Sequence, residues 1–230
     1  MELPADVVAG QAIYNRATLA AYDVGVLGLS CRLIWRCPKT EMLAGYDRNV
    51  GARHLDLGVG TAYFLDRCRF PDARPRVTLV DLNPTVLKVA ARRISRYQPE
   101  VIQANVLQPL PIPAGAYDSV GLSFLLHCLP GDWPDKGNVF ANAAAALRPG
   151  GRVFGSTILA HGVETTAPAR ALMRLYNSRG IFHNAGDDLA GLRRELADHF
   201  AHHRLTVRGC VALFEAHTGP ATDRTPDQSN

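Results

Sequence analysis

The sequence predicts an α/β protein built on a doubly wound, mostly parallel sheet, and three observations carry this prediction. Short runs rich in Val, Leu and Ile alternate with helical stretches, as they do in βα units. Several of these runs are almost wholly apolar, as expected for strands that are covered on both faces. With 230 residues, 47% of them hydrophobic and 20% charged, the chain is long enough and apolar enough for one substantial core.

The predicted strands and helices follow one another along the chain in the order that such a sheet requires. Five strands are predicted at about 53–58, 76–82, 100–106, 117–123 and 151–158, with helices at about 61–69, 84–97, 135–147 and 165–179. Asn83 and Pro84 supply an N-cap and a first-turn proline, which fix the start of the second helix. Pro149-Gly150-Gly151 ends the third helix and turns the chain into the fifth strand.

The two ends of the chain differ from this pattern. After a further helix from about 187, two runs at 204–211 and 212–218 meet near Gly209 and predict an antiparallel pair at one edge of the sheet. Residues 219–230 have no apolar anchor and are predicted to form a disordered tail. Residues 1–50 have a helical pattern and are predicted to form a lid over the carboxyl ends of the strands. The expected units are therefore this lid, a sheet domain over 51–218, and the tail.

The charge pattern argues against nucleic acid or a membrane surface as a partner. Lys and Arg number 25 against 21 Asp and Glu, a net charge of +4 with neutral histidine. Only three of the basic residues are lysines, and the arginines are scattered rather than clustered. We expect neither kind of partner, and the sequence leaves the oligomeric state open.

Cysteine and histidine usage favours a reducing compartment and no bound metal. The five cysteines are an odd number without a C-x-x-C pair. The histidines at 199, 202 and 203 have no carboxylate or cysteine nearby in a ligand pattern, so we interpret them as a solvated helix end. The first residues are acidic, and no apolar run reaches the roughly 18 residues of a membrane span. A cytoplasmic protein is expected.

A glycine turn at the end of the first strand predicts a site for a nucleoside ligand. Asp56-Leu57-Gly58-Val59-Gly60-Thr61-Ala62 lies where the strand turns into a helix, and glycines there let the backbone approach a ligand closely. A dinucleotide fingerprint would need glycine at position 63, which is Tyr63. What remains is an acidic-x-Gly-x-Gly pattern.

This pattern resembles the first motif of the class I S-adenosylmethionine-dependent methyltransferases, with Ala62 in place of the third glycine. Four further segments match that family in order: Val80-Asp81-Leu82-Asn83, Gln103-Ala104-Asn105-Val106, Tyr117-Asp118-Ser119-Val120 and Ala146-Leu147-Arg148-Pro149-Gly150-Gly151-Arg152-Val153. Together the matches cover residues 53–158. The resemblance implies S-adenosylmethionine as cofactor and a Rossmann-like seven-stranded sheet of order 3-2-1-4-5-7-6 with the last strand antiparallel.

The resemblance also implies a set of cofactor-binding residues. Asp56 would orient the glycine turn and the methionine moiety, and Asp81 would accept hydrogen bonds from the ribose hydroxyls. Asn105 departs from the family's aspartate and would accept from the adenine amino group without a charge. Apart from the resemblance, Tyr14 and Tyr22 lie on an amphipathic N-terminal helix, where core packing is the usual role of either residue alone. As cofactor-binding candidates, they would place an aromatic face near the sulfonium, which contributes ~0.5 to 2 kcal/mol of cation–π attraction. The remaining members of the set are Gly58, Gly60, Leu82, Val106 and Ser123.

The candidate catalytic residues are His127, Tyr176 and Asn177. His127 follows the fourth strand, a position from which this family commonly reaches the transferred group, and a histidine there can accept a proton. The alternative is a histidine packed and hydrogen-bonded under the loop. Tyr176 and Asn177 end the helix after the fifth strand, and they and residues 180–184 are expected to line the acceptor side.

Three functions follow from this set of residues. The leading hypothesis is a methyltransferase of small-molecule secondary metabolism that moves the sulfonium methyl to an O, N or C nucleophile. In the second, S-adenosylmethionine is the only substrate, and a cyclase or lyase reaction releases methylthioadenosine. Tyr176, Asn177 and the aromatic lid would then bind the folded methionine chain. The third is a regulator that binds the cofactor without catalysis. Mass spectrometry of the protein incubated with S-adenosylmethionine alone separates the first two.

Overall fold

A seven-stranded sheet forms the centre of the computed structural model, which describes residues 30–219. Its order is β3-β2-β1-β4-β5-β7-β6, and β7 runs antiparallel to both of its neighbours while β1 to β5 are parallel. This confirms the predicted Rossmann-like topology. The strands are β1 (Arg53–Leu57), β2 (Arg76–Asp81), β3 (Glu100–Gln103), β4 (Tyr117–Ser123), β5 (Leu147–Ile158), β6 (His202–Arg208) and β7 (Val211–His217).

Helices cover both faces of the sheet, which is why the inner strands β1, β2, β4, β5 and β7 are mostly buried, whereas the edge strands β3 and β6 are largely exposed or half-buried. Buried side chains of α2, α4 and α6 pack in one core, and those of α5 and α7 pack in a second core on the other face. The helices are α1 (Cys31–Leu33), α2 (Lys39–Asn49), α3 (Tyr63–Arg67), α4 (Pro84–Arg93), α5 (Trp133–Ala146), α6 (Ala167–Ser178) and α7 (Leu189–His199), with 3-10 turns at Ser95–Tyr97 and Leu126–Cys128.

Helix α4 begins where its capping residues predict. The side-chain oxygen of Asn83 accepts a hydrogen bond of 2.9 Å from the backbone N–H of Thr85, and Pro84 occupies the first helical position. Because α4 starts directly after β2, this cap fixes the turn that follows Asp81. That turn matters for the site described below.

Two element boundaries differ from the prediction. Strand β5 begins at Leu147, which pairs with Tyr117 before a register shift, rather than at residue 151. The β6–β7 hairpin turns at Gly209 and Cys210, near the predicted point, but β6 spans 202–208 and β7 spans 211–217 rather than 204–211 and 212–218. Gly209 has a left-handed φ of +57°, and a Cβ there would collide with the carbonyl oxygen of Trp35. Both observations explain why glycine occupies this turn.

The predicted division into lid, sheet domain and tail stays a prediction. Residues 1–29 of the lid, and the tail beyond Gly219, lie outside the described residues. The described end of the lid, α2, packs on the sheet through buried Met42 and Tyr46. Within residues 30–219, no helix combines the length and the apolar character that a membrane crossing demands.

Candidate active site

A cavity of about 200 Å³ opens where β1, β2, β3 and β4 end. The carboxyl ends of parallel strands meet at one edge of a sheet, and open α/β sheets bind their ligands there. All of the predicted cofactor-binding residues that the structure describes line this cavity, while Tyr14 and Tyr22 lie outside the described residues. The lining members of the set are Asp56, Gly58, Gly60, Asp81, Leu82, Asn105, Val106 and Ser123.

The glycine turn after β1 requires its glycines for two different reasons. Gly58 has a φ of +68°, and a Cβ on it would lie 2.5 Å from Cδ1 of Leu125. Gly60 also has a positive φ, but a Cβ there would meet nothing within 4 Å and would project into open space. Ala62 takes a left-handed φ of 55° in place of a third glycine, so the turn survives this substitution. The space above Gly60 is where a ligand can approach the backbone.

Asp56 is held at the base of the cavity by a buried hydrogen-bond network. Its Oδ2 accepts from Tyr46 Oη at 2.8 Å and contacts His54 Nε2 at 3.2 Å. Since a carboxylate only accepts, Nε2 carries the proton, and His54 Nδ1 accepts from Ser119 Oγ at 2.8 Å. Ser119 Oγ in turn accepts from the backbone N–H of Gly51. Burial raises the pKa of Tyr46 well above its usual value, which keeps the phenol protonated as a donor.

Asp81 ends β2 with its carboxylate at the cavity. Burial raises its pKa to about 6, and hydrogen bonds from the backbone N–H groups of Asn83, Leu82 and Val59 act in the opposite direction. The bond from Asn83 to Oδ1 measures 2.9 Å. A buried carboxylate of this kind has acceptor capacity left for a ligand that brings its own donors.

Asn105 follows β3, and its amide is oriented by its own backbone. Oδ1 accepts from the N–H of Leu107 at 3.0 Å, which assigns the oxygen because a backbone N–H can only donate. Within the part of the chain that the structure describes, Nδ2 has no hydrogen-bond partner. The side chain therefore offers both an amide donor and, through the second lone pair of Oδ1, an acceptor at this position.

His127 does not line the cavity, contrary to the prediction. Its ring is 97% buried, and Nδ1 lies 3.4 Å from both Thr157 Oγ1 and the backbone N of Ile158. Burial, aided by the charge of Lys136, lowers its pKa to about 3. Such an imidazole is neutral and a poor proton acceptor near pH 7. The structure matches the alternative, a histidine packed under the loop, because the ring, in the middle of the 3-10 turn Leu126–Cys128, is buried in the core.

Tyr176 and Asn177 also lie outside the cavity lining and support the loop that follows them. The carbonyl oxygen of Tyr176 accepts a hydrogen bond of 2.9 Å from the N–H of Ile181. The ring of Tyr176 packs edge-on against that of Phe182, with 4.9 Å between the ring centroids. Asn177 Nδ2 donates to Asn184 Oδ1 at 2.8 Å. Helix α6 ends in contact with the loop, so these side chains turn toward it. The lining residues of this segment are Gly180, Ile181 and His183.

Sequence analysis missed a buried ion pair behind this loop. Lys136 Nζ lies 2.6 and 2.7 Å from the two carboxylate oxygens of Asp187, and neither side chain is more than 2% exposed. Burial raises the pKa of Asp187 and the neighbouring ammonium opposes that shift. The composition of the chain could have pointed to this lysine. Lys136 is one of only three lysines beside 22 arginines, and it lies on an otherwise Ala-rich helix.

A seven-stranded sheet of this order, with a glycine turn and acidic strand ends around one cavity, defines the class I methyltransferase fold. A family model described as a methyltransferase domain matches residues 55–155. Demethylluteothin O-methyltransferase of Streptomyces thioluteus is 47% identical over 212 residues, which are 92% of this chain and 92% of that protein. The chain belongs to the class I S-adenosylmethionine-dependent methyltransferases.

A further relative agrees with this membership, and a solved structure shares the fold. The physcion biosynthesis cluster O-methyltransferase of Aspergillus chevalieri is 39% identical, over 90% of this chain and 94% of that one. A structure of Haemonchus contortus phosphoethanolamine N-methyltransferase 2, with phosphomonomethylethanolamine and S-adenosylhomocysteine, superposes with a TM-score of 0.68 at 14% identity. It shares the fold over 95% of this chain, which spans only 61% of that structure.

Proposed function

We propose that the protein transfers the methyl group of S-adenosylmethionine to a hydroxyl oxygen of a small ring compound. The observation that carries this proposal is the 47% identity, over nearly the whole of both chains, to a protein named as an O-methyltransferase. The cavity supports it, because its lining beyond Ser123 is mostly apolar and suits a flat, weakly polar acceptor. Those apolar residues are Phe124, Leu125, Leu129, Pro130 and Ile181.

The cofactor position that we propose uses the residues at the strand ends. Asp81 accepts from the two ribose hydroxyls, and Asp56 with the glycine turn holds the methionine part. The open space above Gly60 accommodates the close approach of the ligand to the backbone. Asn105 Oδ1 accepts one bond from Leu107 and keeps a second lone pair for the amino group of adenine, while Nδ2 donates to a ring nitrogen of adenine. This adds a donor to the acceptor role that the resemblance implies.

When bound, S-adenosylmethionine supplies a methyl group on a good leaving group, so the chain's main task is alignment. Orientation of two reactants can be worth about 7 to 11 kcal/mol of the barrier. Asp56 is suited to this task because Tyr46 and His54 hold its carboxylate from two sides. The apolar residues of the acceptor side exclude water from the reacting atoms.

We also propose that the protein works in a reducing compartment, the cytoplasm. All five cysteines are free, and four of them are buried. Burial raises the pKa of Cys31, Cys37 and Cys68 to about 12, which keeps these thiols protonated and unreactive. Measuring free thiols in protein purified from its native host under alkylating conditions tests this location. Disulfide-linked cysteines would contradict it.

Acceptor chemistry is tested with one- to three-ring phenols and enols, each paired with its amine counterpart. We expect the purified protein and S-adenosylmethionine to give O-methyl products and S-adenosylhomocysteine, measured by mass spectrometry. Asp81→Ala serves as the inactive control. Transfer to amines but not to hydroxyls would contradict the proposal, and so would methylthioadenosine formed without any acceptor.

The affinity for S-adenosylhomocysteine should fall at mildly acid pH. Only the ionised carboxylate of Asp81 accepts from both ribose hydroxyls, and its pKa of about 6 means that protonation begins just below neutrality. Lowering the pH from 7.5 to 5 should therefore raise Kd about tenfold, because the fraction of the protein in which Asp81 is ionised drops by about that factor. Calorimetry at both pH values measures this change. Asp81→Asn should bind weakly at both, and an equal pH effect in this variant would contradict the assignment.

A further inference from the structure

The loop between α6 and α7 is anchored to the end of β5 by a fully buried asparagine. Asn184 Nδ2 donates to the carbonyl oxygen of Ile158 at 3.0 Å, and its Oδ1 accepts from Asn177. The carbonyl oxygen of Asn184 then accepts from the N–H of Asp187, which closes a turn. Buried polar groups with all of these bonds made hold a loop in one conformation.

His183 precedes this asparagine, and both of its backbone groups are bound to the core. Its N–H donates to the carbonyl oxygen of His127 at 2.8 Å, and its carbonyl oxygen accepts from Lys136 Nζ at 2.9 Å. His183 is half-buried and is the one histidine among the described residues that line the cavity. Because His183 lines the cavity while both of its backbone groups are bound to the core, we infer that its imidazole faces the cavity. Between residues 30 and 219 the imidazole has no hydrogen-bond or ionic partner.

The ion pair of Lys136 and Asp187 gives this arrangement its rigidity. Removing two charges from water is costly, and a hydrophobic pair of similar volume is often as stable or more so. Lys136 donates to the carbonyl oxygen of His183 as well as to Asp187, so the pair fixes the position of the residue at the cavity. Because its backbone is fixed, His183 can hold its imidazole in a constant position relative to a bound substrate, as a proton transfer requires.

We propose that His183 is the catalytic base, which takes the proton from the acceptor hydroxyl during methyl transfer. This proposal rests on the proposed O-methylation. The acceptor oxygen forms a bond to the methyl carbon, the carbon–sulfur bond breaks with its electron pair going to sulfur, and the hydroxyl proton passes to the imidazole. The imidazolium then releases the proton to water. The residues first suggested for catalysis, His127, Tyr176 and Asn177, support the loop instead.

Other titratable groups lie near His183, so a pH profile alone does not identify it. Asp81, with a pKa of about 6, changes charge in the same range as an ordinary histidine. The charged or titratable residues around the cavity and behind the loop are Tyr46, Asp56, Tyr63, Asp81, Cys128, His127, Lys136 and Asp187. The test therefore needs a readout that depends on the acceptor proton itself.

The experiment compares 1-naphthol with 4-nitro-1-naphthol as methyl acceptors for wild type, His183→Ala and His183→Gln. The first acceptor is un-ionised at pH 7.5 and needs a base, whereas the second has already lost its proton. For 1-naphthol, we expect kcat to fall about 100-fold or more in both variants. For 4-nitro-1-naphthol, the fall should be less than tenfold. Added imidazole should partly restore His183→Ala. His202→Gln, at an exposed position on β6, is the matched control and should behave as wild type.

Calorimetry with S-adenosylhomocysteine separates the two proposals. All four proteins should bind it with Kd values within about twofold of one another, because His183 is not assigned to the cofactor. An equal loss of kcat for both acceptors, or no loss, would overturn the base assignment and leave the proposed function standing. Wild type that binds S-adenosylhomocysteine but methylates neither these acceptors nor any hydroxyl of the phenol and enol set would overturn the proposed function instead.

Discussion

Replacing Asp81 by alanine should weaken S-adenosylhomocysteine binding by at least 100-fold. Two charge-assisted hydrogen bonds to the ribose hydroxyls are worth about 1.5 to 3 kcal/mol each, so their joint loss exceeds two orders of magnitude in Kd. The same carboxylate also accepts from the N–H of Asn83 and helps to shape the turn before α4. Isothermal titration calorimetry at pH 7.5 measures the effect directly.

Two companion variants separate the ribose contact from the turn. Asp81→Asn keeps an acceptor for the N–H of Asn83 but loses the charge, and we expect it to bind weakly although its thermal unfolding is nearly unchanged. Asp118→Ala removes another strand acid, which pairs with Arg148 and Arg53 outside the cavity. It should keep the wild-type Kd. Wild-type affinity in Asp81→Ala would overturn the ribose assignment.

Replacing Lys136 by methionine should destabilise the protein by about 3 to 5 kcal/mol, because Asp187 then keeps a buried charge without a partner. At roughly 2 to 4 °C per kcal/mol for a chain of this size, the melting temperature should drop by about 10 °C. Differential scanning calorimetry is the measurement. Lys88→Met, on the exposed side of α4, is the matched control and should change stability by less than about 0.5 kcal/mol.

The double variant Lys136→Met with Asp187→Leu tests whether the charges serve stability or placement. With both charges removed, much of the lost stability should return. Methyl transfer should nevertheless stay slow, because nothing then holds the carbonyl oxygen of His183. A single Lys136→Met variant with unchanged stability would show that the pair does not anchor the loop.

That the residues proposed for the cofactor line one cavity was predictable, because their positions are set locally. Each of Asp56, Asp81 and Asn105 stands at or just after a strand end, and parallel strands bring their carboxyl ends together whatever the side chains between them. The hydrogen-bond network around Asp56 was harder to predict from the sequence, because it joins Ser119 to His54, which are 65 positions apart. Only the pairing of β1 with β4 makes them neighbours.

The acceptor half was not predictable to the residue. A histidine after β4 can face the cavity or the core, and nothing in the order of residues 125–128 decides which way the ring turns. The structure places His127 in the core and brings His183 to the cavity through a lysine 47 positions away. Segment 180–184 was expected at the acceptor side, and Gly180, Ile181 and His183 do line the cavity.

The position of β7 has a consequence for the order in which the enzyme is assembled on the ribosome. Among the strands of residues 30–219 this one is synthesised last, yet it lies between β5 and β6, and Val211 pairs with Ile158 at the end of β5. The carbonyl oxygen of Ile158 is also the anchor of Asn184. A nascent chain that ends before residue 211 therefore carries every proposed cofactor contact but leaves β5 with an open edge. The loop that we propose for the acceptor side therefore rests on a strand whose edge is covered only after residue 211 has been added.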